Sequence, residues 1–197
     1  MTVPMPLTPV SAPAATASRE WFPMRVTYSR EIAVKTALDA IGIECFVPMR
    51  NKLIATGRQR HYKLVPAIHN LIFLHSTQDE ITGLKATRSE LSPLRYIVRR
   101  SPVLGESGGS TILTIPDRQM EQFLRVASIT DDRVIFLNHI SSSDLIDRKV
   151  RIIDGDFAGI EGVIRRVQRN RRVVVQLEGL AAVAIAFVPP KFLVYID

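Results

Sequence analysis

Apolar side chains recur at Val34, Ala37, Leu38 and Ile41, a spacing that gathers them on one face of a helix, with Ser29 ahead of the run as a cap and Gly42 behind it as a stop. Before it, residues 21–26 read as a short strand whose Pro23 suits an edge or a strand start. Residues 44–53, 62–65 and 70–75 are strand-like, interrupted by Pro48 and a loop centred on Gly57, and are expected as neighbours in one antiparallel sheet. Thr77 with Glu80 three positions on is a capping-box pattern ahead of Ile81 and Leu84, which predicts a second helix. A strand at 94–98 and a turn-rich stretch at 102–110 follow. Pro116-Asp117 then opens a third helix with Met120, Phe123, Leu124 and Ala127 on one face. The order β-α-β-β-α-β-α is that of an α+β domain, an antiparallel sheet packed with helices.

The pattern changes at residue 148. From there only short β-rich runs occur, at 150–153, 163–167, 173–177, 181–188 and 192–196, punctuated by Gly155, Gly159, Gly162 and Gly179. Five short strands in so short a segment predict a small β-barrel. Residues 128–146 lose helical periodicity and contain Ser141-Ser142-Ser143, as a linker does. Residues 1–18 carry no charged side chain and have prolines at 4, 6, 9 and 13, so they are expected as a disordered tail without the basic start of a signal peptide. The expected organisation is a tail at 1–18, an α+β domain at 19–127, a linker at 128–146 and a barrel at 147–197.

With 46% hydrophobic and 23% charged residues, the 197-residue chain has the composition of a globular protein. Its longest apolar stretch, residues 180–190, is about half the length of a membrane-crossing helix, so no membrane association is expected. Lys and Arg number 26 against 19 Asp and Glu, a net charge of +7 that favours polyanions or acidic protein surfaces as partners. The lone Cys45 has no disulfide partner within the chain, and His61, His69, His75 and His139 stand apart from any metal-ligand spacing. A cytoplasmic monomer without metal or cofactor is expected. Gly105-Glu106-Ser107-Gly108-Gly109 fits G-x-S-x-G, but residues 111–115 read as a strand where a nucleophile elbow needs a helix, and Asp131 and His139 meet the triad order only trivially. The chain is not expected to be an enzyme.

Residues 149–164 combine a strand, a glycine-dependent turn and a second strand, with Gly155, Phe157, Gly159, Ile160 and Gly162 at the characteristic places. The segment resembles a KOW motif, Gly159 falling at the signature glycine. A KOW motif behind an α+β domain that opens on Trp21-Phe22 resembles the NusG family of transcription elongation factors. Within it, residues 21–26, 42–49, 64–73, 94–98 and 116–123 look like the UpxY antiterminators. The resemblance spans about residues 20–196. It implies an NGN domain joined to an SH3-like KOW barrel, and a non-enzymatic, specialised NusG paralogue serving long operons for surface (capsular) polysaccharide. In the family an apolar, concave sheet face binds the clamp helices of the largest RNA polymerase subunit and suppresses pausing and termination.

Carried onto this sequence, that face would comprise Pro23, Arg25, Ile68, Leu71, Phe73 and Tyr96. Polar replacements of Leu71 and Phe73 are then expected to abolish read-through without unfolding the protein. Thr87 and Arg88 fall where relatives touch the polymerase gate loop, or are simply exposed helix-end residues. General NusG proteins lead into the docking strand with aromatic-Pro-Gly-Tyr. Here Ile68-His69-Asn70-Leu71 stands instead, which implies a differently tuned contact. The barrel tip near Phe157 and Ile160 corresponds to the region that in general NusG proteins meets a small-subunit ribosomal protein or Rho; Phe157 is equally suited to a core.

No acidic residue lies between positions 50 and 63, while Arg50, Lys52, Arg58, Arg60, His61 and Lys63 do, as in a phosphate-binding hairpin or a solvated loop. By the resemblance, Arg30 and Lys35 would extend this track toward the non-template DNA strand. Arg165, Arg166, Arg169, Arg171 and Arg172 crowd around a turn expected at 168–170. Such a cluster fits RNA phosphate or an acidic protein face, or protects an edge strand from aggregation. The leading expectation is a transcription antitermination factor. The alternatives are a KOW-type RNA-binding or ribosome-associated protein and a general NusG elongation factor.

Overall fold

The structure, a computed structural model, describes residues 18–57, 59–100, 110–137, 148–177 and 180–196. Along the chain run β1 (Glu20–Val26), α1 (Glu31–Asp39), β2 (Glu44–Phe46), β3 (Met49–Thr56), β4 (Gln59–Pro66), β5 (Leu71–Ser76), α2 (Gln78–Thr87), β6 (Leu94–Tyr96), β7 (Val98–Arg100), β8 (Ser110–Ile112) and α3 (Asp117–Ala127). The β-rich remainder holds β9 (Val134–Leu137), β10 (Arg148–Ile152), β11 (Glu161–Val167), β12 (Asn170–Leu177), β13 (Ala181–Ile185) and β14 (Leu193–Tyr195). The expected α+β class with a β-rich C-terminal unit is what the chain adopts.

The first sheet has the antiparallel order β2-β5-β1-β6. Pro23 stands opposite Phe73 and Met24 opposite Ile72 and Tyr96, so alternate residues of β1 serve two faces. Phe22, Met24, Val26, Ile72 and Leu74 pack with Val34 and Leu38 of α1 and Ile81 of α2. Trp21, Leu71 and Phe73 turn the other way, onto Met120 and Phe123 of α3. Pro23 sits in a central strand rather than an edge, but β6 pairs with β1 only from Met24 onward, so no β6 ladder bond is asked of its missing N–H.

Several expectations change. Ser29 does not cap α1: it has φ +52 in a turn beside Tyr28 at φ +63, and the helix starts after Arg30 with no side-chain cap. The carboxylate of Glu31, buried at the start of α1, instead accepts the Asn70 backbone N–H at 2.6 Å and ties the helix to the β4–β5 connection. The helix ends as expected. Gly42 at φ +73 allows the Ile43 N–H to reach the Leu38 carbonyl and its own N–H to reach that of Asp39. Thr77 caps α2, its hydroxyl accepting the Glu80 N–H at 3.2 Å.

Residues 44–53 are two strands, because buried Pro48 breaks the ladder between β2 and β3. β3 and β4 pair only with each other, as a ribbon apart from the main sheet. The run 94–98 likewise divides into β6 and the β7–β8 pair. Within the expected linker, β9 pairs with β13 and completes a six-stranded antiparallel sheet in the order β14-β10-β11-β12-β13-β9. A strand at β8 follows the G-x-S-x-G stretch. That stretch itself, the 141–143 serines, His139, Gly179, Arg58 and tail residues 1–17 lie outside the described residues. Among the described residues no helix is long and apolar enough to cross a membrane.

Candidate protein and nucleic-acid interfaces

Helix α3 joins the two sheets. Toward the first, Phe123 packs on Phe73 with ring centroids 5.7 Å apart, and Phe46 covers Phe73 from another side at 6.4 Å. Toward the second, Arg118 pairs with Glu161 at 3.1 Å, Arg125 donates to the Ala158 carbonyl at 2.8 Å, and the Gln122 side-chain oxygen accepts the Glu161 N–H at 3.1 Å. Arg151 also bonds Glu161, and with Arg118 it holds that carboxyl below the usual carboxylate range. Gly159 adopts φ +83 beside Arg125. The KOW-type turn is therefore part of the contact with α3. Its Ile160 is buried and Phe157 half-buried in the core that both units share.

The residues assigned to one docking face do not all share one. Leu71 and Phe73 are 1% and 0% exposed beneath α3, and Pro23 is buried beside them. Ile68 is half-buried on the same side, with Phe46 and Ile97, and Arg25 is exposed there. Tyr96 is on the opposite face. It stands beside Met24, exchanges a hydrogen bond with Thr82, donates to the Gln78 carbonyl and lies under the Lys85 ammonium at 4.7 Å. Burial among these groups raises its pKa. Period-2 alternation could have separated Tyr96 from Phe73 only with the β1–β6 register known. Thr87 and Arg88 are exposed at the end of α2, the Thr87 hydroxyl donating to the Gly83 carbonyl at 2.9 Å.

The β3–β4 ribbon has two unlike faces. Lys52 stands opposite Lys63 and Arg50 opposite Val65, with His61 on the same side, whereas Leu53, Tyr62, Leu64 and Arg60 occupy the other. The residues with charge are exposed, and so are Leu53, Tyr62 and Leu64. On α1, Lys35 is held by Asp39 at 2.8 Å, a contact that raises the lysine's pKa and lowers the aspartate's. Arg30 lies over the Tyr28 ring at 5.9 Å. The ribbon is the freer cationic surface of this unit.

Cys45 is close to this pair, its thiol 3.5 Å from Asp39. Burial pushes its pKa up to about 12, and the nearby Asp39 and Glu44 carboxylates act in the same direction against Lys35. Since the thiolate is the reactive form, maleimide labelling of the native protein at neutral pH is expected to be slow and to accelerate on denaturation. Equal rates in both states would contradict the half-buried placement of the thiol.

The C-terminal arginines separate by register. Arg165 faces Arg172 and Arg166 faces Arg171, so each pair lies on a different side of the β11–β12 hairpin. Arg172 is committed internally, donating to the carbonyls of Val167 at 3.4 Å and Ala186 at 2.8 Å. Arg166, Arg169 and Arg171 are exposed.

A family model described as "Transcription termination factor nusG" matches residues 19–124, just over half of the chain and nearly all of the first sheet with its helices. The chain belongs to the NusG family. Members of the NusG family are non-enzymatic transcription factors that bind RNA polymerase, so this NusG-family chain is a transcription elongation or antitermination factor. A solved structure described as "Domain interaction in Thermotoga maritima NusG" aligns with 91% of this chain and 98% of its own, at 14% identity and a TM-score of 0.44. A comparison with curated proteins gives no match.

Proposed function

We propose that this NusG-family chain is a specialised, UpxY-like antitermination factor. It docks on the clamp region of the largest RNA polymerase subunit and carries the enzyme past pauses and terminators in a long operon, with surface polysaccharide synthesis as the class of operon. The observation that carries the reading is the family match over residues 19–124, together with the Ile68-His69-Asn70-Leu71 approach to β5 that departs from general NusG proteins.

Burial refines the contact. Leu71 and Phe73 support the surface from below, while the half-buried rim of Phe46, Ile68 and Ile97 with exposed Arg25 is what a partner reaches. The basic ribbon face, with Arg50, Lys52 and Lys63, would hold upstream or non-template DNA, with exposed Arg60 on the ribbon's other side. Arg30 and Lys35 contribute less because of their local partners. Binding of this kind stabilises the elongating conformation of polymerase relative to the paused one.

The test is co-elution of the purified chain with core RNA polymerase at physiological salt, beside naked DNA and RNA of matched length. Retention on polymerase, and its loss in Arg25→Glu/Ile68→Lys with an unchanged circular dichroism spectrum, is expected. Retention by nucleic acid alone would overturn the reading, because phosphate-only binding is the part that salt removes.

A further inference from the structure

Two strands distant in sequence meet the arginine hairpin on one face of the second sheet. In the β10–β11 pairing Arg148 stands opposite Ile164, and in the β10–β14 pairing Val150 stands opposite Tyr195. Residues two apart along a strand share a face, so Arg148, Ile164, Arg166, Arg171 and Tyr195 lie on the same side, from β14 across to β12. Arg148, Ile164, Arg171 and Tyr195 line one cavity of about 240 Å³. The Arg148 guanidinium lies 5.4 Å from the centre of the Tyr195 ring, which is 60% exposed.

The neighbouring hairpin violates two local preferences. Arg166 and Arg171 are like charges set directly opposite each other, an arrangement that destabilises a strand pair. The turn places Gln168 at φ +50 and Arg169 at φ +67, where a tight hairpin favours Asn-Gly. Among the described residues neither Arg166, Arg169 nor Arg171 has a hydrogen-bonding or ion-pair partner, whereas Arg172 does. A polyanion offsets this repulsion. The aromatic ring beside it gives the site something that a purely acidic protein surface would not use.

We propose that this face of the C-terminal unit binds single-stranded nucleic acid, one base stacking on Tyr195 beside Arg148 and the flanking phosphates accepting hydrogen bonds from Arg171, Arg166 and Arg169. Guanidinium forks match phosphate oxygens, and stacking on an aromatic ring tolerates any base. The site stays open while the unit is packed on α3. The middle of this face, Val150, Ile164 and Val173, is buried in the core shared with α3, but Arg148, Arg166, Arg171 and Tyr195 at its end are exposed, and no α3 residue lines the cavity between them. The inference does not rest on polymerase binding, and its failure would leave the co-elution result untouched.

The experiment is fluorescence anisotropy of the full chain with a labelled oligouridylate, an oligothymidylate of equal length and a DNA duplex, each over a series of salt concentrations. Tyr195→Ala is expected to weaken single-strand binding about tenfold without changing the salt slope, and Tyr195→Phe to restore it, since stacking needs the ring and not the hydroxyl. Arg166→Gln/Arg171→Gln is expected to weaken it at least tenfold and to lower the slope by about 1.4, the share of two phosphate contacts on a single strand. Its melting temperature should be unchanged or higher, because the cross-strand repulsion is gone. Unchanged binding in both variants, loss of binding only in Lys52→Gln/Lys63→Gln, or displacement by polyglutamate as readily as by oligomer would overturn the proposal.

Discussion

Phe73→Ala is expected to lower the stability of the N-terminal unit by about 3–5 kcal/mol, the range for emptying the site of a fully buried aromatic side chain. Phe73 has no exposed surface and is held between Phe46 and Phe123, so neither the sheet nor α3 can collapse into the space without breaking the other contact. Urea denaturation followed by circular dichroism measures this directly, and a loss under about 1 kcal/mol would mean that α3 does not cover the sheet as described. The result also bears on function. Polar replacements at Leu71 and Phe73 look on sequence grounds like clean probes of docking, but here they attack the core. Loss of read-through in such variants would report unfolding, and the rim residues are the better probes.

Gly162→Ala is expected to destabilise the C-terminal unit by about 1–3 kcal/mol or more, the range for overpacking a filled interior. A Cβ at this position would lie 2.7 Å from the Val174 carbonyl oxygen and 2.9 Å from Val173 Cγ1. The first of these is backbone in the adjacent strand and cannot swing aside. The glycine is needed for close approach of β11 to β12 and not for its backbone angles, which are not in the left-handed region. Thermal melting of the variant beside the unaltered chain checks it. An unchanged transition would show that the two strands can separate at no cost.

Much of the first unit was legible because its signals are local. The apolar spacing of α1 and α3, the Thr77–Glu80 pair and the Gly42 stop each depend on neighbours within one or two turns, and each appears where the pattern puts it. Ser29 was misread because a capping side chain needs extended backbone, and the chain there turns through two left-handed residues. The β9 strand was hidden for a different reason. Its four residues follow a helix and precede a polar stretch, and only pairing with β13, far along the chain, makes them a strand.

The candidate sites divide the same way. Charge runs were visible in the sequence, but which arginines are available was not, because Arg172 serves two carbonyls of its own unit while Arg171 beside it has no such partner among the described residues. Arg148 and Tyr195 carried no signal at all: they come together only through the register of β10 with β11 and β14. Amino-acid order by itself determined the α+β class, the β-rich second half and the excess of positive charge, since these depend on composition and short-range periodicity, and it carried the motifs by which the chain resembles the NusG family. Tertiary structure alone decided which apolar side chains are core and which are rim, which face Tyr96 takes, and which cations share a surface. Those outcomes depend on strand register and on burial under α3, and both are set by contacts between residues far apart in the chain.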